Sequence, residues 1–324
     1  MLKLSRFIFI FILLGSCLTL FAIDWKTWQY NDIQITAAPK DTAYASIIVR
    51  SLSRRINAFQ MKLGVYPVQP LLITILPNRQ EYEFLTTGKG KIVESSLAFY
   101  SPREKKIYVR SPDQIAMESY DGVLMHEYIH WFLDETLSSV PLWFHEGMAF
   151  YYSGQFGFPA YYSFTRYRFM GYKLSLTEMV YQYPRLKSYW NMFYLTSAFA
   201  INHLQSKHHD RWEDFWDNVS LVYNSSGASG PAKSDFTRTF YASFRMSQFA
   251  FSNEFDKVLK RYGWQFPLIG INALIFSLLP IIILLAWLKH RRKLKAMPEL
   301  VDEVTEETAT PETPQEETEH PPAP

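Results

Sequence analysis

The sequence contains very little cysteine. Cys17 is the only one among 324 residues, so a single chain can form neither an internal disulfide nor a zinc site built from cysteine thiolates. Any metal site must therefore use histidine, aspartate or glutamate. The sequence also lacks a glycine-rich phosphate-binding loop, an internal repeat and a basic stripe, and its formal net charge is only +2. Nothing in it predicts nucleic-acid binding.

The N-terminus has the features of a secretory signal peptide. Lys3 and Arg6 precede an apolar run over residues 7–14, and small and apolar residues continue to Ala22, so residues 1–23 are interpreted as the signal peptide. Two alternatives stay open. Residues 14–17 resemble a lipobox, which would make Cys17 a lipidated N-terminus, and the segment can also serve as an uncleaved anchor.

A second apolar segment predicts a transmembrane helix over residues 266–288. Residues 267–288 contain no charged side chain, and at about 1.5 Å per residue they can cross a hydrocarbon layer of roughly 30 Å. The basic residues at 289–293 suit a cytoplasmic flank. This topology places residues 24–262 outside the cytoplasm, in the periplasm or at the cell surface. It leaves residues 289–324, which end in an acidic and disordered tail, in the cytoplasm.

The pattern of apolar residues between these segments predicts an α+β domain with a small mixed β-sheet followed by helices. Residues 25–36 and 71–76 have strand character, residues 43–63 have helical spacing that ends at Gly64, and residues 97–100 and 106–110 flank a hairpin turn. From Gly122 onward the spacing becomes helical.

The strongest chemical signal is the sequence from His126 to His130. In a helix, residues four apart share a face, so His126 and His130 can both point at one cation. Glu127 lies about 100° around the helix from His126, where it can address a water molecule without binding the cation itself.

A second segment supplies the third predicted ligand. Pro141 suits the start of a helix, and the apolar residues around Glu146 would make an unpaired carboxylate there unfavourable. Two histidines and one glutamate leave the fourth position of a catalytic zinc open. His126, His130 and Glu146 are therefore the predicted metal ligands.

At these residues the chain resembles the gluzincin metallopeptidases, and most closely the bacterial peptidase MA-like group. The resemblance consists of HExxH with a downstream P-x-W-x-x-E-G-x-A segment, matched by Pro141, Trp143, Glu146, Gly147 and Ala149. It implies a zincin-like fold, one Zn²⁺ per chain, Glu127 as the catalytic base, and close helix packing at Gly147. The chain departs from the family at His145, either a donor to a metal ligand or a helix-surface residue, and at Phe150.

The same resemblance implies that Tyr194 donates a hydrogen bond to the oxyanion, with Tyr151 and Tyr152 as alternates. The substrate would be a peptide or protein, held in extended form by an exposed edge strand, either 97–100 or 106–110. Residues 151–172 either line the cleft or form a folded loop. His203, His208 and His209 are interpreted as a solvated helix end.

Together these features predict a membrane-anchored zinc peptidase. The alternative is a catalytically weak or inactive domain that acts as a surface binding module, although the chain keeps Glu127. An intramembrane protease is not expected, because the apolar run around the motif covers only about 11 residues, fewer than the about 20 that a span requires.

Overall fold

The structure is a computed structural model that describes residues 25–225 and 232–295. The proposed signal peptide and the residues from 296 onward lie outside this part of the chain. Two compact units are present, Met1–Leu268 and Ile269–Pro324. The described part of the first unit combines one main β-sheet with many helices, which confirms the predicted α+β class.

The main sheet has five strands in mixed orientation. They are β1 (Lys26–Tyr30), β2 (Ile33–Ala37), β3 (Leu71–Leu76), β4 (Ala98–Ser101) and β5 (Lys106–Arg110). Their spatial order is β1-β2-β3-β5-β4, with β2–β3 and β3–β5 parallel and the outer pairs antiparallel. β4 is therefore an edge strand. Because β5 pairs on both sides, the prediction that it offers a free edge is wrong.

The predicted first strand is in fact two strands. β1 and β2 form an antiparallel hairpin whose turn contains Asn31 at a φ of 51°, a conformation that asparagine tolerates better than most residues. The turn was not predicted because it has only two residues and strand-forming residues flank it on both sides. The hairpin predicted around residues 97–110 is confirmed by the pairing of β4 with β5.

The helices occupy most of the remaining chain. They are α1 (Thr42–Leu63), α2 (Arg79–Thr86), α3 (Lys91–Glu94), α4 (Met117–Thr136), α5 (Leu142–Tyr152), α6 (Phe158–Phe169), α7 (Trp190–Lys207), α8 (His209–Asn224), α9 (Phe236–Phe244) and α10 (Gln248–Lys295). A two-residue parallel pair joins β6 (Leu137–Ser138) and β7 (Ser234–Asp235). α1 matches its predicted bounds to within one residue, and Gly64 ends it at a φ of +68°. The short helices α2 and α3 were not predicted.

Helix α4 runs through the core. Leu124, Ile129 and Phe132 are fully buried, and α4 packs against α1, β4 and β5. Helix α5 packs against both α4 and α7. The backbones of α5 and α7 approach closely at Gly147, where an added Cβ would lie 2.5 Å from the carbonyl oxygen of Ser197. This geometry agrees with the close helix packing expected at Gly147.

Within the described residues, one helix is long and apolar enough to cross a membrane by length and composition. It is α10, in which residues 248–293 reach a mean hydropathy of 2.7 over their most apolar 18 residues. The uncharged residues 267–288 belong to this helix. The length and hydropathy of α10 therefore support the predicted segment 266–288 as a possible membrane span.

Gly147→Ala should destabilise the protein. The new methyl group would lie 2.5 Å from the Ser197 carbonyl oxygen and 2.8 Å from Cγ1 of Ile201, and overpacking of this kind typically costs about 1–3 kcal/mol. Gly122→Ala is the matched control, because its Cβ would meet only the Ser153 carbonyl oxygen at 3.5 Å. That control should be neutral or stabilise by up to about 1 kcal/mol. Urea unfolding of the full chain in detergent measures both, and equal stabilities would contradict the close approach.

Candidate metal centre

The three predicted metal ligands come together in the structure. Nε2 of His126 lies 3.5 Å from Oε2 of Glu146, and Nε2 of His130 lies 3.6 Å from the same oxygen. The ligand atoms of the three residues all lie within 4.8 Å of one another. This group is therefore placed closely enough to hold a metal ion.

Local geometry explains the convergence. His126 and His130 lie four residues apart on α4 and so share a face, while α4 ends at Thr136 and the chain reverses through Ser139, which has a φ of 58°. Pro141 is the extended residue just before α5, and the Leu142 N–H donates to the Val180 carbonyl at 2.8 Å. The start of α5 is thus fixed, and its second turn presents Glu146 to the two histidines.

Glu146 is buried, with only 2% of its surface exposed. Burial acts to raise its pKa, but the neighbouring His130 and His126 and the hydrogen bond from Tyr183 lower it to about 2. Burial lowers the pKa of His130 to about 3, so its ring is neutral. The carboxylate is therefore ionised and at least one imidazole is free to bind a cation.

Two buried polar atoms of this group have no hydrogen-bond partner among the described residues: Oε2 of Glu146 and Nδ1 of His126. Leaving a buried carboxylate oxygen without a donor or a cation is unfavourable by about 1–3 kcal/mol or more. A cation held between this oxygen and the two imidazoles would remove that penalty. The residues present fit a metal ion.

Glu127 belongs to the same centre but makes different contacts. The residue is 9% exposed, and its Oε2 accepts a hydrogen bond of 2.8 Å from the N–H of Tyr100 on β4. Burial raises its pKa to about 7, although His126 and the Tyr100 N–H oppose the rise. As predicted from the sequence, Glu127 is not one of the three converging ligand groups.

Tyr183 is the residue that sequence reasoning missed. It lies in the irregular segment between α6 and α7, and its hydroxyl donates to Oε1 of Glu146. Burial and the nearby charge of Glu146 raise its pKa, so the phenol stays protonated. This bond leaves Oε2 of Glu146 as the oxygen directed at the histidines.

Tyr194 lines the cleft beside the candidate ligands. Its ring centroid lies 6.4 Å from that of His126, and burial raises its pKa. Tyr151 and Tyr152 instead pack on Phe156 and Phe59, away from the cleft lining. Of the three tyrosines considered, the structure therefore brings only Tyr194 to the site.

His145 and Asp134 extend the polar part of the site. The His145 ring lies 5.6 Å from the His130 ring and lines the cleft, and burial lowers its pKa. His145 is therefore partly buried and faces the cleft. Asp134 accepts a hydrogen bond of 2.8 Å from the Tyr100 hydroxyl. It follows His130 by four residues, a spacing from which its position on the same face could have been predicted.

These side chains lie in a cleft of about 460 Å³, a volume typical of ligand-binding pockets. The walls are mainly apolar and are contributed by Ile92, Val93, Leu97, Phe99, Val123, Leu142 and Phe150. Of residues 151–172, only Gln155 lines it. The aromatic run that begins at Tyr151 therefore forms packed structure beside the cleft rather than its wall.

A second group of histidines and a glutamate is also placed closely enough to hold a metal ion. Oε1 of Glu254 lies 3.1 Å from Nε2 of His203, 3.0 Å from Nε2 of His208 and 2.7 Å from Nζ of Lys207. Only His209 is well exposed, so the interpretation of all three histidines as a solvated helix end is wrong for His203 and His208. Lys207 already supplies a cation to this carboxylate.

Comparison with known proteins gives little further information. No family model matches the chain. A protein of Bacillus subtilis (strain 168) named uncharacterized protein YhcO is 26% identical over 139 residues. The aligned region covers 38% of this chain and 41% of YhcO.

Glu254→Gln should destabilise the protein at pH 7 by about 1–3 kcal/mol, because Glu254 accepts charge-assisted hydrogen bonds. Although burial acts to raise its pKa, the bonds from Lys207, His208 and His203 lower it to about 2. A carboxyl group whose pKa falls on folding stabilises the fold above its unfolded pKa of about 4.3, and this contribution is lost as the pH falls towards 2. The difference from wild type should therefore shrink between pH 5 and pH 3.

Denaturant unfolding of the full chain in detergent at several pH values measures this difference. Glu213→Gln is the matched control, since Glu213 lies 3.6 Å from His209 in a pair whose side chains are both 65% exposed. Such surface pairs contribute about 0–1 kcal/mol. A Glu254 variant no less stable than the Glu213 variant at pH 7 would contradict the assigned role.

Proposed function

We propose that this protein is a zinc-dependent peptidase of the gluzincin type, with a zincin-like catalytic domain anchored to a membrane. The observation that carries the proposal is the buried Oε2 of Glu146, which faces Nε2 of His126 and of His130 and has no other partner among the described residues. Glu127 lies on the same helix as the two histidines, and one of its oxygens accepts the N–H of Tyr100.

The donor set favours zinc. Two imidazoles and one carboxylate are the ligands of many catalytic zinc sites, which keep a further position for water or substrate. When bound, zinc would supply Lewis-acid polarisation of the scissile carbonyl and a water molecule of lowered pKa. His126, His130 and Glu146 are the residues that would hold it.

Glu127 is the proposed proton carrier. Its carboxylate takes a proton from the attacking water and delivers it to the amine that leaves. The Tyr100 N–H holds Oε2 of Glu127 at 2.8 Å, so the other oxygen is the one available to the water. β4 thus restrains the base.

Tyr183 and Tyr194 have different proposed roles. Tyr183 holds Oε1 of Glu146 and keeps that ligand oriented. Tyr194 lines the cleft on the His126 side and stays protonated because burial raises its pKa. It can therefore donate a hydrogen bond to the carbonyl oxygen as negative charge develops there.

The proposed substrate is a peptide segment in extended form. β4 is the outermost strand of the sheet, and its residues 98–100 line the cleft beside Glu127. An extended chain can pair with such an edge through backbone hydrogen bonds. The apolar walls of the cleft would then receive its side chains.

The proposed location follows from the two ends of the chain. The predicted signal peptide at residues 1–23 and the predicted span at residues 266–288, which basic residues 289–293 follow, favour a cleft outside the cytoplasm. The structure of α10 supports the span by its length and hydropathy.

The first test separates the base from the ligands. Purified full chain in detergent should contain one zinc ion and hydrolyse peptides from a broad library. Glu127→Gln should keep the zinc and lose activity by at least about a hundredfold, because it removes only the proton carrier. Glu146→Ala should lose both. Metal content is measured by mass spectrometry and hydrolysis by peptide fragmentation.

Two results would contradict the proposal. If wild type and Glu127→Gln both bind zinc and neither cleaves any peptide, the domain is a zinc-binding module and not an enzyme. If Glu146→Ala binds zinc as tightly as wild type, then the assigned ligand set is wrong.

A pair of tyrosine variants tests the two roles in the site. Tyr183→Phe should weaken zinc binding by about 10–100-fold, because it removes a hydrogen bond that orients a ligand. Tyr194→Phe should bind zinc normally and lower kcat by about 10²–10³-fold. Competition with a zinc chelator and steady-state kinetics measure these effects. Equal zinc affinity in both variants would remove the positioning role of Tyr183.

A further inference from the structure

One face of helix α6 exposes large apolar side chains. The exposed fractions of Phe158, Tyr162 and Phe169 are 68%, 40% and 55%, and Met170, which follows the helix, is 62% exposed. On a helix of 100° per residue, positions 158, 162 and 169 fall within about 40° of one another. They therefore form a single stripe. We call these three residues, together with Met170 just beyond the end of the helix, the α6 apolar stripe.

Two residues at the start of the proposed span pack against helix α6. The ring of Phe266 lies 5.5 Å from that of Tyr162 and 5.5 Å from that of Phe169. The hydroxyl of Tyr161 donates to Oε1 of Gln265 at 2.9 Å. The stripe therefore lies beside the point at which the chain reaches the uncharged residues 267–288.

The composition of this surface suits a membrane interface. Aromatic side chains are enriched at the boundary between lipid and water, where their apolar rings are buried and their polar atoms stay hydrated. Trp264, which is 77% exposed, lies two residues before Phe266 on α10, and the exposed Arg166 lies on α6. An arginine at this level can reach lipid phosphates.

We infer that the α6 apolar stripe lies in the interfacial layer of the membrane that α10 enters. The inference rests on the proposed membrane anchor and goes beyond it, because a single span by itself leaves the domain free to tilt. Contact between the stripe and lipid would hold the domain in one orientation. It would also remove from water side chains whose exposure is otherwise unfavourable.

The depth of single nitroxide labels in vesicles tests this arrangement. Cys17 is the only natural cysteine, so a Cys17→Ser chain accepts one new cysteine at a time. Labels would be placed at Phe158, Phe169 and Met170, with Ile282 as a label in the proposed span. Leu221 and Tyr241, on α8 and α9, are the controls, since they are 68% and 61% exposed.

Each full-length protein is reconstituted in vesicles of phosphatidylethanolamine and phosphatidylglycerol, and its label is probed with oxygen and with a water-soluble nickel chelate. Labels on the stripe should be several-fold more accessible to oxygen, and less accessible to nickel, than labels at Leu221 and Tyr241. Thermal unfolding of each labelled protein checks that the label leaves the fold intact.

The outcomes distinguish a failure of the proposed membrane anchor from a failure of the proposed contact between the stripe and lipid. If the Ile282 label is open to nickel, the membrane anchor itself is wrong. If the Ile282 label is in lipid while the stripe labels match the two controls, the anchor stands and the stripe faces water, which overturns the inference. Stripe labels shielded from both reagents would show a protein contact instead, such as a second copy of the chain, and would overturn it as well.

Discussion

The carboxylate of Glu146 is the group on which the arrangement of the site depends. It is buried and ionised, with Tyr183 on one oxygen and two histidine nitrogens at 3.5 and 3.6 Å from the other. A buried negative charge must be matched by donors or by a cation. The two histidines supply only part of the positive charge that would balance it, because burial keeps His130 neutral. A metal ion held between these groups would complete the balance.

Rigid elements hold the groups around this carboxylate. α4 carries both histidines and Glu127 through the core, and α5 is pressed onto α7 at Gly147, where no side chain could fit without movement. The edge strand β4 reaches the same centre through the N–H of Tyr100. Sites built on helices and strands keep their geometry better than sites on loops. Among the described residues that contact the carboxylates of Glu146 and Glu127, Tyr183 is the one that comes from an irregular segment.

The sequence predicted the parts of the site that depend on local spacing and missed those that depend on tertiary contacts. His126 and His130 share a helix face whatever surrounds them, and the apolar neighbours of Glu146 marked a charge in need of a partner. Tyr183 follows no periodic pattern, so nothing local relates it to Glu146. The pairing of His203 and His208 with Glu254 joins positions some fifty residues apart, with no local signal of contact. The sheet order that makes β4 the edge strand is likewise a tertiary property.

The two groups of histidines and glutamate show why similar residues need not do similar chemistry. Glu254 and its histidines surround an oxygen that also contacts Lys207 at 2.7 Å, so the positive charge that the carboxylate requires is part of the chain. A metal ion there would have to displace a lysine that is already well placed. Glu146 has histidines and a tyrosine as its partners, and its second oxygen receives no hydrogen bond from the described residues. Charge balance therefore favours metal binding at Glu146 and a purely structural role for Glu254.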